Sequence, residues 1–374
     1  MDKLVSEIKT RFAQVGDHRG KNVVFKLHDV LMSGYAMFSL KYPSLLDFGQ
    51  RNMAEEQNIY RLFGVNKVCS DTQFRTILDE VEPSSIYGIL PDMVKLLSEK
   101  GGLEGYEVLG DYKVASIDGV EFFQQQDGCQ KNDCELNAAK RLKAQLKKDY
   151  PKEKFIVVED ALYGTAPNIE QTLANEWGYV INVKSGSHST LFRYFEQRRA
   201  NNQLDDYVFK DAKGTTHRFY WMNNVALNGC STIRTNFLYY EEQDNKGNLQ
   251  VFSWITSFTI RKQNVNTLMR IGRARWKIEN ETFNTLKNQG YHFEHNYGHG
   301  YKHLCNILAL LMLLAFLIDQ IVQAADKIFI RIETKIKTKI RLWTDMQALF
   351  RTTVFNSFLE LFTKIAFLHR IKLE

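Results

Sequence analysis

Cysteine and proline are scarce in this chain, and their scarcity excludes several kinds of fold. The 374 residues include five cysteines. They are scattered without a paired metal-ligand spacing: Cys69, Cys129, Cys134, Cys230 and Cys305. An odd number of cysteines in a chain of this size argues against a disulfide framework and favours a reducing compartment. No proline follows Pro167, and the C-terminal third has the pattern of uninterrupted helices.

An export signal and a membrane-spanning run are also missing from the sequence. The N-terminal segment MDKLVSEIKTRF is charged and amphipathic, without the apolar core of a secretory signal. The run from Leu304 to Ile318 is uncharged but has only 15 residues before Asp319, fewer than the roughly 20 needed to cross a bilayer. We therefore expect a cytoplasmic protein without a membrane segment, in which this run is a buried core helix.

Net charge is only mildly positive and is concentrated at one end. The chain carries +6 overall, and residues 327–374 contain ten Lys or Arg against four Asp or Glu. Such a basic tail could contact a polyanion, but a basic face near a terminus is more often ordinary solvated surface. Length and apolar content predict a globular protein of two or three domains.

The hydrophobic periodicity changes twice along the chain. Residues 1 to about 100 favour helices, including a short one that starts at the capping box Ser70–Gln73 and is either a DNA-reading helix or an ordinary packed helix. From residue 106 strands and a helix alternate: Tyr112–Ile117, Cys134–Lys148, Phe155–Val158 and Tyr179–Val183. Alternating residues at about 206–223, 232–241 and 249–260 predict an antiparallel β insertion with turns at Asn228-Gly229 and Lys246-Gly247. Helices follow from residue 264.

Acidic residues follow two of the predicted strands. Val114–Ile117 leads into Asp118-Gly119, and Phe155–Val158 leads into Glu159-Asp160. In open α/β sheets, ligands bind at the carboxyl ends of strands, where carboxylates can share divalent cations. The plainer interpretation is that Asp-Gly forms a turn and that Glu-Asp faces solvent.

A third acid stands in a helical pattern near residue 280. Trp276, Glu279, Phe283 and Leu286 fall on one face of a regular helix, which places Glu279 in an apolar stripe. A buried carboxylate must be paired or metal-bound, because an uncompensated buried charge costs several kcal/mol. Glu279 is therefore a candidate metal ligand, with a salt bridge to Arg275 one turn earlier as the alternative.

Several motifs together resemble a known enzyme family. Residues 273–287 (RARWKIENETFNTLK) and 288–300 (NQGYHFEHNYGHG) are similar to the C-terminal motif of DDE-type transposases of bacterial insertion sequences. Supporting matches are Ile-Asp-Gly at 117–119, DCELNAAKR at 133–141 and EDALYG at 159–164. Gly272 replaces the usual tyrosine of this motif, and Lys287 lies one residue further from Glu279 than in its commonest form.

The resemblance implies a fold and a division into domains. The fold would be α/β (α+β), with an RNase H-like mixed sheet, an antiparallel β insertion before the third acid, and helical N- and C-terminal regions. The implied domains are a helical DNA-binding domain, the first part of the catalytic core, the β insertion, the helical remainder of the core and a basic helical tail: 1–105, 106–185, 186–262, 263–325 and 326–374.

The resemblance also implies the chemistry. Asp118, Asp160 and Glu279 would hold two Mg²⁺ ions, or Mn²⁺, for cleavage and strand transfer at the ends of the element. Arg273, Arg275 and Lys287 would lie near the bound DNA. The expected partners are the terminal inverted repeats and target DNA, with the protein acting as a homodimer in the DNA complex.

One segment is shorter than this fold requires. Only nine residues (124–132) separate Phe123 from Asp133, whereas two strands with turns need upward of about 14 residues. We therefore expect that the second and third strands are deleted and that the strand before Asp118 has an unpaired edge. Three functions stay open: an active transposase, an impaired derivative that only binds DNA, and a metal-dependent nuclease unrelated to transposition.

Overall fold

The computed structural model describes residues 1–20, 22–99, 102–119, 134–228, 232–298 and 300–373. Two compact units account for them: a helical unit formed by residues 1–104 and 283–373, and an α/β unit formed by residues 105–119 and 134–282. Both ends of the chain thus contribute to one core. This grouping differs from the consecutive domain bounds expected above, which stay a prediction.

The described secondary structure follows the predicted order. The N-terminal helices are α1 (Asp2–Ala13), α2 (Leu27–Ser39), α3 (Leu45–Gly49), α4 (Met53–Phe63), α5 (Asp71–Asp79), α6 (Ser84–Tyr87) and α7 (Ile89–Glu99). The strands are β1 (Glu107–Val108), β2 (Tyr112–Ser116), β3 (Lys154–Glu159), β4 (Gly178–Asn182), β5 (Asp205–Lys210), β6 (Thr216–Ala226), β7 (Arg234–Gln243) and β8 (Leu249–Thr256). The helices of the α/β unit are α8 (Glu135–Asp149), α9 (Ala166–Ala174), α10 (Ser189–Ala200), α11 (Val265–Arg273) and α12 (Arg275–Lys277). The chain also forms a 3-10 turn (Ala161–Tyr163) after β3 and a π-helix (Ile278–Phe283) after α12. The C-terminal helices are α13 (Asn284–Asn288), α14 (Leu304–Ala325), α15 (Lys327–Lys335), α16 (Lys339–Thr352) and α17 (Phe358–Leu368).

Helix α14 is the central helix of the helical unit. It packs against α2 so closely that Gly34 has no room for a Cβ beside Leu311. The helical pattern predicts this helix from about residue 302 to residue 327, and it is observed over Leu304–Ala325; by length and composition it could cross a membrane. Its apolar side chains are buried in the core of the unit, which confirms the interpretation as a core helix.

Helix α14 continues past Asp319 because that carboxylate is neutralised inside the core. The Lys41 Nζ lies 2.5 Å from Asp319 Oδ2, and both side chains are buried. The same ammonium group donates to the carbonyl of Ser39 and lies 4.2 Å from the ring centre of Tyr291. A buried charge is tolerated where it is paired and hydrogen-bonded, so the acidic residue does not end the helix.

Asp79 caps helix α14 from a distant part of the sequence. It lies at the end of α5, whose predicted start at Ser70 is confirmed by the hydroxyl of Ser70, which accepts the amide of Gln73. The carboxylate of Asp79 accepts four backbone N–H groups, those of Tyr301, Lys302, His303 and Leu304, at 2.8–3.0 Å. Burial alone would raise the pKa of Asp79, but these four donors hold it below its usual value.

Replacement of Asp79 by alanine is expected to destabilise the helical unit by about 1–2 kcal/mol at pH 7, because the first amides of α14 lose their acceptor. The pKa of Asp79 is lowered by folding, so its contribution is present above the unfolded pKa of about 3.9 and is lost as the pH falls through the folded value. Urea unfolding at pH 7 and at pH 3 measures this. The matched control is Glu80→Ala, which removes only an exposed pair with Lys302; equal effects of both variants at pH 7 would contradict the capping role.

The described residues of the α/β unit form one mixed sheet of eight strands in the order β1-β2-β3-β4-β8-β7-β6-β5. Strands β2, β3 and β4 are parallel to one another, whereas β4 pairs antiparallel with β8. Successive side chains of β3 point to opposite faces: Val157 packs in one apolar cluster, and Ile156 and Val158 pack in the other. Both faces of the central strands are therefore buried, as their apolar sequences predict.

The predicted antiparallel β insertion is confirmed. Strands β5 to β8 form a meander whose turn at Lys246-Gly247 uses a glycine with φ of +88°. The other predicted turn, at Asn228-Gly229, lies partly outside the described residues. Because β8 pairs with β4, the insertion extends the central sheet and does not form a separate layer.

The edge strand before Asp118 differs from the prediction. The predicted deletion of two strands falls at 124–132, outside the described residues. The edge of β2 was expected to be unpaired, but β1 pairs with it antiparallel, Val108 with Tyr112 and Glu107 with Lys113. This correction concerns the start of β2; within the described chain no strand pairs with the outer side of its last residues, next to Asp118. The short strand β1 has too few residues for a periodic signal.

Candidate active site

The first two candidate acids lie at the same end of two neighbouring parallel strands. The register pairs Ser116 of β2 with Val158 of β3, and the amide of Ile117 donates to the carbonyl of Val158 at 3.0 Å. Asp118 and Asp160 each follow this pair by two residues. The parallel register therefore places both carboxylates at the carboxyl edge of the sheet, as the sequence predicts.

Asp160 also holds the backbone that follows β3. Its Oδ1 accepts the amide of Leu162 at 2.9 Å, which caps the 3-10 turn Ala161–Tyr163. Asp118 is anchored in a similar way, since its Oδ1 accepts the amide of Gly119 at 3.0 Å. Each carboxylate is thus oriented by one hydrogen bond from a backbone N–H group, and its second oxygen can bind another partner.

Arg275 links the first and third acids. Its Nη1 donates to Asp118 Oδ2 at 3.2 Å and to Glu279 Oε1 at 2.6 Å. The salt bridge between Arg275 and Glu279 that the sequence left as an alternative is therefore present. One guanidinium group neutralises two of the three candidate carboxylates in this structure.

The expected burial of Glu279 is wrong. Its side chain is 44% exposed, and Trp276 on the same predicted stripe is 62% exposed. The cause is local: residues 278–283 form a π-helix between α12 and α13, so the regular helical spacing assumed for the stripe does not hold. π-Helical turns are rare and are frequent at functional sites. The carboxylate of Glu279 contacts Arg275 from this π-helical turn, and it does not enter the apolar core.

The pKa of Asp118 shows that the three acids share one electrostatic environment. Burial raises the pKa of this carboxyl, and the negative charges of Glu279 and Asp160 raise it further, whereas Arg275 lowers it. Burial is the largest cause of the raised pKa, and the two neighbouring carboxylates add to it. A site with excess negative charge of this kind is one that a cation stabilises.

Hard carboxylate oxygens suit a divalent cation of the Mg²⁺ class. Asp118, Asp160 and Glu279 supply such oxygens, so the residues fit the expected metal in chemistry. In this structure Asp118 and Glu279 point to the guanidinium group of Arg275. Among the described residues no group of three His, Cys, Asp or Glu side chains converges at metal-binding spacing.

A fourth carboxylate beside this edge of the sheet was missed in the sequence. Glu135 Oε1 accepts a hydrogen bond from the hydroxyl of Tyr163 at 2.8 Å. Tyr163 is the last residue of the 3-10 turn that follows Asp160. The same carboxylate lies against Gly119, which has no room for a Cβ. Glu135 thus lies between Gly119, next to Asp118, and the 3-10 turn after Asp160. Its place in the first turn of α8 gave no periodic signal, because the contact is tertiary.

A buried ion pair behind Asp160 was also missed. Glu159 and Lys143 have fully buried side chains, and Lys143 Nζ lies 2.7 Å from Glu159 Oε1. Asn168 bridges them, since its side-chain oxygen accepts from Lys143 at 2.7 Å and its Nδ2 donates to Glu159 Oε2 at 2.7 Å. The plainer interpretation, in which this acid faces solvent, is wrong for Glu159, because alternation along β3 turns its side chain to the side opposite Asp160.

The remaining predicted site residues have partners of their own. Arg273 Nη1 is hydrogen-bonded to Glu242, and its guanidinium group lies 4.9 Å from the ring centre of Phe252. Lys287 belongs to the helical unit, where its Nζ lies 2.9 Å from Glu294. The predicted DNA contacts of Arg273 and Lys287 stay predictions.

A family comparison agrees with this arrangement. A family model described as Transposase DDE domain matches residues 123–317, slightly more than half of the chain. The match includes Asp160, Arg275 and Glu279 and begins just after Asp118. No curated protein matches the chain. The resemblance seen in the sequence is confirmed, and the chain belongs to the transposase DDE domain family.

Proposed function

We propose that the protein catalyses metal-dependent DNA cleavage and strand transfer at the ends of an insertion sequence, with Asp118, Asp160 and Glu279 as the metal ligands. The observation that carries the proposal is the parallel register of β2 and β3, which places Asp118 and Asp160 side by side, together with the link from Asp118 through Arg275 to Glu279. Two strand ends and one helix thus contribute an acid each.

The three carboxylates would bind two Mg²⁺ ions, or Mn²⁺. When bound, such ions make water or a DNA 3′-hydroxyl a better nucleophile and stabilise the departing oxygen during displacement at phosphorus. The carboxylates position charge and form no covalent bond. The raised pKa of Asp118 fits this role, since a cation would favour its ionised form.

Arg275 would supply positive charge to the DNA strand. A guanidinium group hydrogen-bonds a phosphate through two parallel N–H groups, and it keeps its charge at any working pH. In the structure it is held by Asp118 and Glu279, within reach of both. Arg273 and Lys287 are the other candidate DNA contacts, target DNA and terminal repeats are the proposed ligands, and a homodimer in the cytoplasm is the proposed active form.

Removal of divalent metal is expected to abolish cleavage of a duplex that carries the terminal repeats of the element. The physical reason is that nothing else in the site lowers the pKa of water or stabilises the leaving oxygen. The assay compares excess EDTA with restored Mg²⁺ on a labelled duplex. Cleavage that persists at full rate in EDTA would refute the proposed function, and Ca²⁺ at equal ionic strength is the control for charge screening.

A second function is favoured by one feature of the sequence. The nine residues at 124–132 are too few for two further strands, and within the described chain the outer side of the end of β2 has no strand partner. The alternative is an internally deleted derivative that binds DNA without cutting it. It predicts salt-sensitive binding and no cleavage at any Mg²⁺ concentration. Strand-transfer products, in contrast, would exclude both this alternative and an unrelated nuclease.

A further inference from the structure

A basic cleft lies in the α/β unit between helix α10 and strands β6 and β7, away from the carboxylates. Its volume is about 400 Å³. One wall is formed by residues of α10 at helical spacing, Thr190, Arg193, Tyr194 and Arg198, which share one face of the helix. The opposite wall contains Asn224 of β6 and Arg234 of β7. Below, "the arginine cleft" means the space bounded by these side chains.

The charge of the arginine cleft is uncompensated. Among its described lining residues three are arginines and none is acidic. The partners of these arginines are neutral: Arg198 donates to the carbonyl of Gln203 and to the hydroxyl of Tyr194, each at 3.2 Å, and Arg234 donates to the carbonyl of Asn224 at 3.5 Å. Within the described chain no carboxylate forms an ion pair with Arg193, Arg198 or Arg234.

The next arginine on the same helix shows the contrast. Arg199 points to the sheet, where its Nη2 lies 2.7 Å from Glu241 and its guanidinium group lies 4.6 Å from the ring centre of Tyr220. It is a packed, neutralised structural residue. The helix therefore separates its arginines into one that is paired with the sheet and two that face the cleft.

A backbone irregularity shapes the opposite wall. The register between β6 and β7 shifts between Met222 and Val225, and Asn224 adopts a φ of +55° in this bulge. Its amide is held by the side-chain oxygen of Asn236 at 3.0 Å. Bulges re-aim side chains and are enriched next to functional sites, and asparagine is among the residues that tolerate positive φ. The bulge residues Asn224 and Val225 both line the cleft.

We propose that the arginine cleft binds the phosphodiester backbone of duplex DNA. Guanidinium groups hydrogen-bond phosphate oxygens through two N–H groups, and the hydroxyl of Thr190 and the side-chain amide of Asn224 add neutral donors of the kind that contact DNA phosphates. Tyr194 is the only aromatic residue among the described lining residues, so the cleft lacks the series of aromatic side chains on which the bases of a single strand stack. The choice of DNA as the polyanion rests on the proposed function; the site itself is separate from the carboxylates.

The test measures DNA binding against salt without any divalent metal. The variant Arg193→Gln/Arg198→Gln/Arg234→Gln is compared with Lys210→Gln/Lys213→Gln/Lys246→Gln, which removes equal charge from exposed positions of the same meander. If three phosphate contacts are lost, the slope of log K against log salt becomes less steep by about 2.7. The lysine variant is expected to change the slope by less than half as much. Fluorescence anisotropy in EDTA on a labelled duplex supplies both slopes.

Folding and ligand controls keep the proposal falsifiable. Arg193→Gln alone removes an exposed side chain and is expected to reduce the slope by about 0.9, with an unchanged thermal unfolding curve. Equal slopes for the arginine variant and wild type would overturn the proposal, as would equal losses in the arginine and lysine variants. Calorimetry with inorganic phosphate separates the sources of the ligand: phosphate binding with an unchanged DNA slope also overturns it. Because these assays contain no metal, a failed cleavage assay leaves their result unaffected.

Discussion

Replacement of Asp160 by asparagine is expected to reduce DNA cleavage at least about a hundredfold, which corresponds to about 2.7 kcal/mol of lost transition-state stabilisation. The amide oxygen of asparagine can still accept the backbone N–H of Leu162, which the carboxylate accepts at 2.9 Å. The cap of the 3-10 turn is therefore kept, and only the charge is lost. Cleavage rates on a labelled terminal-repeat duplex with Mg²⁺ measure the effect.

The matched control for Asp160→Asn is Asp326→Asn in the helical unit. Asp326 caps helix α15 in the same manner, accepting the amides of Ile328 and Phe329 at 3.0 and 3.1 Å. Both variants replace a carboxylate by an amide at the start of a helical segment. Any general effect of asparagine at such a position on stability therefore occurs in both variants. Equal cleavage by Asp160→Asn and wild type would show that Asp160 is not a ligand.

The third acid permits a similar comparison over a short distance. Glu279→Gln is expected to lose cleavage to a similar extent, whereas Glu281→Gln removes an exposed carboxylate two residues later and is expected to keep it. Glu279→Gln also loses the charge that pairs with Arg275, so DNA binding is measured alongside. A wild-type protein that binds the duplex but never cuts it would leave the binding-only derivative as the better account.

Strand ends were predicted well because their signals are local. Alternation and apolar runs predict where β2, β3 and the β insertion lie, and the acids then follow from their place after each strand. The positions of Asp118 and Asp160 at one edge need only the parallel register. Pairing between strands is a property of the whole sheet, but β3 is buried on both faces, and its apolar sequence leaves few alternatives to a central position.

Two features were not predicted, one because the helix is locally irregular and one because the contact joins residues far apart in the sequence. The stripe through Glu279 assumes one helical period, and the π-helix at 278–283 breaks it. The ion pair of Asp319 inside helix α14 was not predicted, because its partner, Lys41, is 278 residues away in the sequence. Neither the π-helical turn nor the distant partner changes the hydrophobic periodicity of its segment.

Glu159 was misplaced for a related reason. An acidic residue next to Asp160 at the end of an apolar strand is expected to face solvent when the strand is considered alone. Its burial is explained by Lys143 of helix α8, which pairs with it. The pair lies in a fully buried position, where burial raises the pKa of Glu159 and lowers the pKa of Lys143, and the attraction between the two opposes both shifts. A mutual contact of this kind is invisible when each residue is considered in its own segment.

Replacement of Lys143 by methionine is expected to destabilise the α/β unit by about 3–5 kcal/mol, because it leaves Glu159 buried without a counter-charge. Lys143 also donates to Asn168 and to the hydroxyl of Thr172 at 3.0 Å, so these two acceptors lose a partner as well. Urea unfolding followed by fluorescence measures the change. Lys140→Met, an exposed position one turn earlier on α8, is the control and is expected to change stability by less than about 0.5 kcal/mol.

A second substitution separates lost charge compensation from lost packing. Glu159→Gln in the Lys143→Met background removes the buried charge but keeps the side-chain shape, so it is expected to recover a large part of the lost stability. The recovery follows from the structure: Glu159 Oε2 accepts from Asn168, and the amide oxygen of glutamine can do the same. If the double variant is as unstable as Lys143→Met, packing around Lys143 and not the ion pair stabilises this part of the sheet. Because Glu159 immediately precedes Asp160, any loss of the pair would also loosen the backbone that carries the second candidate metal ligand.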